Sequence, residues 1–160
     1  MTDEIPLTSA GVYVPPPLWF AAGLLLGWAG DRYLVALPMS PAIASHVWSV
    51  GPLFIVAGVV LVAWGMVTFR RAGTAIVPNR PAARIVSSGP YRFTRNPMYT
   101  GLTLVYVGVS ALLASWWPLL LLPVVLVVVF QFVIRREEAY LHSAFGDEYA
   151  AYCGRVGRWL

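Results

Sequence analysis

The chain has 160 residues, of which 59% are hydrophobic and only 11% charged. A water-soluble domain carries about a quarter charged residues, so an ordinary soluble enzyme is excluded and the lipid bilayer is the expected solvent. The net charge of +4 does not signal a nucleic-acid surface, because the basic residues are all arginine and fall in two blocks. Arg70, Arg71, Arg80, Arg84, Arg92 and Arg95 form one, and Arg135, Arg136, Arg155 and Arg158 the other, with Arg32 apart.

In chain order, Met1 to Glu4 carry no positive charge and the first apolar run starts only after Pro15-Pro16-Pro17, so no cleaved signal peptide is expected. Four apolar stretches follow, at 18–37, 47–69, 97–115 and 118–134. At 1.5 Å per residue, stretches of about 17 to 23 residues match a hydrocarbon core of about 30 Å. Asp31 and Arg32 interrupt the first near its far end and read as interface anchors that reach for water. Trp116 and Trp117 alone separate the third and fourth, which predicts a tight antiparallel helical hairpin with Pro118 opening its second arm. Both arginine blocks then lie on one side, and the positive-inside rule puts that side, and both termini, in the cytoplasm. The expected fold is an all-α polytopic transmembrane bundle of about four spans forming a single domain over 1–160. Within it, 1–69 supply the N-terminal spans and 70–160 the basic loop, the hairpin and the C-terminal helices. The glycines within the spans, Gly23, Gly27, Gly30, Gly51, Gly58, Gly65, Gly101 and Gly108, read as sites of close helix packing.

One cysteine, Cys153, and two distant histidines, His46 and His142, predict neither an internal disulfide nor a structural metal. Between Leu102 and Phe130 the polar side chains are few, so a proton or ion path is not expected. Chemistry is therefore expected at the arginine-rich face. Gly89-Pro90 marks a turn, and Asn96-Pro97 reads as a helix start with Asn96 at the N-cap. Free backbone N–H groups beside Arg92 and Arg95 can receive an anion there, or form no more than a capped helix. After the fourth stretch, Arg135-Arg136-Glu137-Glu138 opens an amphipathic helix with Ile134, Leu141 and Phe145 on one face. The glutamates border that face, either as binders of a cationic or hydroxyl-rich group or as solvated partners of the two arginines. Gly146 can cap this helix, and Tyr149 and Tyr152 then share a face of the next.

The pattern Gly89-Pro90-Tyr91, Asn96-Pro97-Met98-Tyr99-x-Gly101, then Arg135-Arg136-Glu137-Glu138-x-x-Leu141, then Phe145-Gly146-x-Glu148-Tyr149-x-x-Tyr152-x-x-x-Val156 resembles the isoprenylcysteine carboxyl methyltransferase superfamily, with which phospholipid methyltransferases share much. It covers about half of the chain. The resemblance implies an integral membrane methyltransferase of the plasma or inner membrane that uses S-adenosylmethionine, held between a cytoplasmic loop and the C-terminal helices. It assigns the cofactor to Arg84, Ile85, Val86, Tyr91, Asn96, Pro97, Met98, Tyr99, Glu137 and Glu138. Arg95, Asn96 and Arg136 are the candidates for the acceptor side and the reacting atoms. Enzymes of this kind that act on prenylated proteins usually carry His where this chain has Asn96, and an arginine where it has Val133, so the acceptor stays open between prenylated and other lipophilic molecules. A sterol-type reductase using NADPH and a non-catalytic membrane subunit are the competing readings. The helix surfaces near Gly101, Thr103 and Gly108 are expected to leave a lateral cleft for the acceptor.

Overall fold

A computed structural model describes residues 11–73 and 83–159. The expectations placed on Met1 to Glu4 and on Arg80 lie outside the described residues. Among the described residues the chain is helical throughout: α1 (Pro16–Tyr33), α2 (Pro41–Arg71), a 3-10 turn (Gly89–Arg92), α3 (Pro97–Leu113), α4 (Trp116–Val129), a π-turn (Phe130–Ile134) and α5 (Arg135–Arg155). Proline opens α1, α2 and α3, where its fixed φ suits the first turn and its missing N–H is no loss. At α2 the Ser40 hydroxyl also accepts from the Ile43 N–H at 3.4 Å. That start carries the helix six residues ahead of its expected apolar run. Two helical rods, Pro41–Arg71 and Trp116–Arg155, are long and apolar enough to cross a membrane, and α3 is a shorter apolar helix. The second is not one straight rod, since it passes through a π-turn and breaks at Gly146, and its charged part begins only beyond Ile134.

The helices pair as α2 with α3 and α1 with α4. Gly58 faces Gly101, and Gly51 faces Gly108, so closely that a Cβ on Gly101 would stand 2.7 Å from the Gly58 carbonyl oxygen and one on Gly108 2.6 Å from that of Gly51. Lipid tails are as apolar as leucine, so helices in a bilayer associate through such backbone approach more than through burial of apolar surface. On the other pair Gly23 lies against Val125 and Tyr106, and Gly27 against Pro118. The tight hairpin expected of the third and fourth spans is thus corrected. The turn is tight, but α3 is drawn to α2 and α4 to α1, and the two arms diverge.

The turn itself is Ala114 in a left-handed conformation (φ 48°) followed by Ser115, while Trp116 and Trp117 belong to the first turn of α4. It is tied to the α1–α2 connection. Met39 N–H donates to Ala114 O at 2.7 Å and Trp116 N–H to Leu37 O at 2.9 Å. Asp31 Oδ1 accepts from Leu37 N–H at 2.9 Å and from the Ser115 hydroxyl at 3.0 Å. Asp31 is therefore a knot between two loops, where a water-seeking anchor was expected. Beneath it, Tyr106 is wholly buried and donates to Pro118 O at 2.7 Å.

The Gly58→Ala substitution places a methyl group against the Gly101 carbonyl and the backbone of Val105. It is expected to destabilise the folded protein by about 1–3 kcal/mol, whereas Gly154→Ala, which meets nothing within 4 Å, leaves stability unchanged or slightly improved. Thermal denaturation of the two variants in one detergent checks this, and equal midpoints would contradict the α2–α3 contact.

Candidate active site

The residues ahead of α3 are fixed by local steric rules. Gly89 adopts φ 58°, and a Cβ there would stand 2.6 Å from the Thr68 hydroxyl on α2, so the turn needs glycine on both counts. Pro90 and Tyr91 follow, both buried. The Tyr91 ring lies edge-on to Phe69 with centroids 4.9 Å apart, and its carbonyl accepts from the Tyr152 hydroxyl at 2.7 Å. Its own hydroxyl has no hydrogen-bond partner, and burial holds that group well above the usual phenol range. Gly65 and Met98 lie beside it.

Asn96 occupies the position before Pro97, but its side chain does not cap α3. The Thr94 hydroxyl accepts the backbone N–H of Asn96 at 3.2 Å, and the Asn96 side-chain amide donates to the Arg158 carbonyl at 3.1 Å. Two further bonds hold the same tail: Thr94 Oγ1 donates to Arg158 O at 3.0 Å, and Arg95 N–H donates to Gly157 O at 2.9 Å. The Arg158 guanidinium grips both carboxylate oxygens of Glu138 at 2.8 Å and lies 5.1 Å over the Phe130 ring. Arg95 reaches Glu138 at 3.3 Å and Cys153 Sγ at 2.8 Å. Glu138 is therefore neutralised within the protein.

Its neighbour Glu137 is not. The Tyr99 hydroxyl lies 2.8 and 2.9 Å from the two Glu137 oxygens, and among the described residues no ion pair reaches this carboxylate. Burial pushes its carboxyl up to about 7, the Tyr99 hydrogen bond opposes this, and the charge of Glu138 adds to it. An enclosed carboxylate with one neutral donor, near the start of α3, can receive a cation or hydroxyls. The unpartnered Tyr91 hydroxyl can engage a polar atom of the same ligand.

Residues 47–148, more than half of the chain, match the model of the phospholipid methyltransferase family. The chain belongs to this family. It is 28% identical over 129 residues to protein-S-isoprenylcysteine O-methyltransferase B of Arabidopsis thaliana, covering 78% of this chain and 66% of that protein. It is 39% identical over 72 residues to protein-S-isoprenylcysteine O-methyltransferase of Schizosaccharomyces pombe, covering 45% of this chain and 30% of that protein. It is 32% identical over 108 residues to the cobalt-zinc-cadmium resistance protein CzcN of Cupriavidus metallidurans, covering 67% of this chain and 49% of that protein. The chain thus spans about two thirds of the first of these relatives and half or less of the others. No solved structure matches it significantly.

Within this methyltransferase family framework the expected residues do not all fall in one place. Tyr91, Met98, Tyr99 and Glu137 neighbour one another at the start of α3 and of α5. Arg84, Ile85 and Val86 instead line a cavity of about 420 Å³ with Trp64, Thr68 and Arg71 at the end of α2. Pro97 is buried and serves as the first residue of α3. Arg95, Asn96 and Glu138 hold the C-terminal tail: Asn96 stands at the N-cap position of α3 as expected, with its side chain turned to the Arg158 carbonyl, and Glu138 is engaged by Arg158 and Arg95. Arg136 is exposed and donates to the Gly11 carbonyl at 3.0 Å, which turns it toward the segment before α1. Thr94 and Trp159 carry no signal in the sequence, and Tyr152 and Arg158 are legible there only as a helix-face residue and as one more basic residue; the spacing of Arg158 from Glu138 becomes meaningful only with the kink at Gly146 (φ 49°, ψ −121°).

Proposed function

We propose that this chain is an integral membrane methyltransferase that takes its methyl group from S-adenosylmethionine and delivers it to a lipophilic acceptor at the cytoplasmic boundary of the bilayer. The observation that carries the reading is Glu137, an enclosed carboxylate held by Tyr99 with no cationic partner among the described residues. The cofactor supplies an electrophilic methyl on sulfur whose departure leaves a neutral thioether. Glu137 would pair with its ammonium or accept from its ribose hydroxyls, and the free N–H groups at the start of α3 would receive its carboxylate. Tyr91 and Tyr99 would pack their rings on the adenine or the sulfonium, and the Tyr91 hydroxyl would gain a partner. The leaving group needs no acid, and a carboxylate or thiolate acceptor needs no base near neutral pH, whereas an amine must first lose a proton. The scarcity of unengaged bases therefore favours a carboxylate or thiolate. The names of the isoprenylcysteine O-methyltransferase relatives agree with the first.

The same reading gives four membrane crossings by α1 to α4, with both ends and the loop between Arg70 and Arg95 in the cytoplasm. The arginine asymmetry supports it, as do the contacts that gather Arg95, Arg158 and Glu138 at one end of the bundle. In a Cys153→Ser background, Ser88→Cys in intact cells should resist an impermeant thiol reagent and react once the membrane is opened. Ready labelling from outside would overturn the orientation.

A pH dependence follows from Glu137. Pairing with a ligand ammonium requires the ionised carboxylate and lowers its proton affinity, so binding is full above a pH of about 7 and weakens as pH falls through that value. Calorimetry with S-adenosylhomocysteine should give an affinity at a pH near 6 about tenfold below that near 8. Glu137→Gln should abolish this dependence and weaken binding about tenfold or more at the higher pH. Exposed Glu148→Ala should leave both unchanged. A flat profile in the wild type, or equal affinity in folded Glu137→Gln, would remove Glu137 from the site.

A further inference from the structure

Two segments distant in sequence carry side chains assigned to the ligand: the turn before α3 carries Tyr91, and the start of α5 carries Glu137. The far half of α5 joins them. At Gly146 the backbone takes φ 49° and ψ −121°, a conformation that residues other than glycine rarely adopt, and a Cβ there would meet nothing within 4 Å. The glycine is needed for the bend and not for room. Beyond the bend Tyr149, Tyr152 and Val156 are buried together, and Leu141 and Phe145 from before it pack on them with Ile85 of the loop. From this cluster the Tyr152 hydroxyl donates to the Tyr91 carbonyl at 2.7 Å, across 61 residues of sequence. Burial pushes that hydroxyl up to about 12, so it remains a protonated donor near neutral pH.

The bond falls where the turn ends. Within the turn the Tyr91 N–H donates to Ser88 O and the Phe93 N–H to Pro90 O, each at 3.2 Å. The next carbonyl, that of Tyr91, receives the Tyr152 hydroxyl in place of a backbone donor. A buried carbonyl left without a donor costs free energy, so the phenol at 152 favours one orientation of the Tyr91 peptide. The Tyr91 side chain itself rests against Phe69, Gly65 and Met98, and its hydroxyl has no partner. Tyr149, one turn earlier in the same cluster, makes different contacts. Its ring lies edge-on to His142 with centroids 4.8 Å apart, and its hydroxyl is engaged with Arg95 and Cys153.

We infer that Tyr152 is a positioning residue for the nucleoside site, which it serves by fixing the Tyr91 carbonyl and so holding the Tyr91 ring and hydroxyl in place opposite Glu137. The inference rests on the methyltransferase reading and adds to it a residue that does not touch the ligand. One bent helix then sets both arms of the site, with Glu137 on the half before Gly146 and Tyr152 on the half after it. With the tie intact Tyr91 is ordered before the ligand arrives, and without it binding must supply that ordering.

The test is calorimetry with S-adenosylhomocysteine on the full-length protein in detergent, at a pH near 6 and a pH near 8. Tyr152→Phe, which removes one oxygen and keeps the ring, should weaken binding about five- to tenfold. The loss should be the same at both pH values, because Glu137 is untouched. Tyr149→Phe should leave the affinity unchanged. In a Tyr91→Phe background, where the hydroxyl to be positioned is already gone, Tyr152→Phe should cost less than about twofold. Gly146→Ala reaches the same bond by a second route, through the bend, and should weaken binding at least as much as Tyr152→Phe. Wild-type affinity in folded Tyr152→Phe or Gly146→Ala, with only the thermal midpoint lowered, would make these residues part of the packing alone and overturn the inference. An equal loss in Tyr149→Phe, a changed ratio between the two pH values, or full additivity with Tyr91→Phe would also overturn it, since each would mean that the fold was disturbed as a whole. Absence of binding by the wild type would overturn the methyltransferase reading and this inference with it.

Discussion

In a bilayer two helices gain little by hiding leucine from lipid, so the arrangement of this bundle depends on where backbones can touch. Gly51 and Gly58 of α2 meet Gly108 and Gly101 of α3 at carbonyl distance, and on α1 Gly27 meets the backbone of Pro118 of α4 while Gly23 admits the side chains of Val125 and Tyr106. A short turn at Ala114 and Ser115 forces α3 and α4 to start together, yet each is claimed by a different partner along its length. The pair must open like a wedge. Its closed end is tied by Tyr106 and by the Asp31 knot, and its open end collects the polar side chains of the candidate site.

At that open end two adjacent glutamates have opposite fates. Glu138 meets Arg158 and Arg95 and becomes part of the scaffold that pins the C-terminal tail. Glu137, one residue earlier, turns to Tyr99 and lacks a cation among the described residues. Leaving a carboxylate enclosed and uncompensated is costly to the fold. Under the proposed function the cost is offset by the ligand: its ammonium would face Glu137 and its carboxylate the positive end of α3, charges of the right sign at both places. The tail pinned by Glu138 also brings Trp159 to a groove lined by Thr100, Thr103, Leu104 and Leu126.

Much of this was legible in the sequence where local chemistry decides. Gly89-Pro90 as a turn, Pro97 as the first residue of α3, the break at Gly146 and the shared face of Tyr149 and Tyr152 follow from φ preferences and spacing. The paired roles of the span glycines were also readable, although not which helix each would face. What escaped were partners far apart in the chain. Asn96 stands at the N-cap position, but its side-chain amide donates to the Arg158 carbonyl, 62 residues away. Asp31 looked like a water-seeking charge because Ser115 lies 84 residues on. Arg136 shares a stretch with Glu137 but reaches back to Gly11. The early start of α2 was missed for a simpler reason: Ser40-Pro41 initiates a helix regardless of how apolar the following turn is.

The central claim is that the side chains of Glu137, Tyr99 and Tyr91 bind a sulfonium nucleoside, and the most direct test is a thermal-shift comparison on the purified protein in detergent. A ligand at about a hundred times its dissociation constant stabilises by about 2.7 kcal/mol, enough to move the unfolding midpoint by several degrees. S-adenosylhomocysteine is expected to raise the midpoint by that amount, and NADPH is expected to leave it unchanged. Stabilisation by NADPH without any response to S-adenosylhomocysteine would contradict the account and favour a reductase built on the same helices.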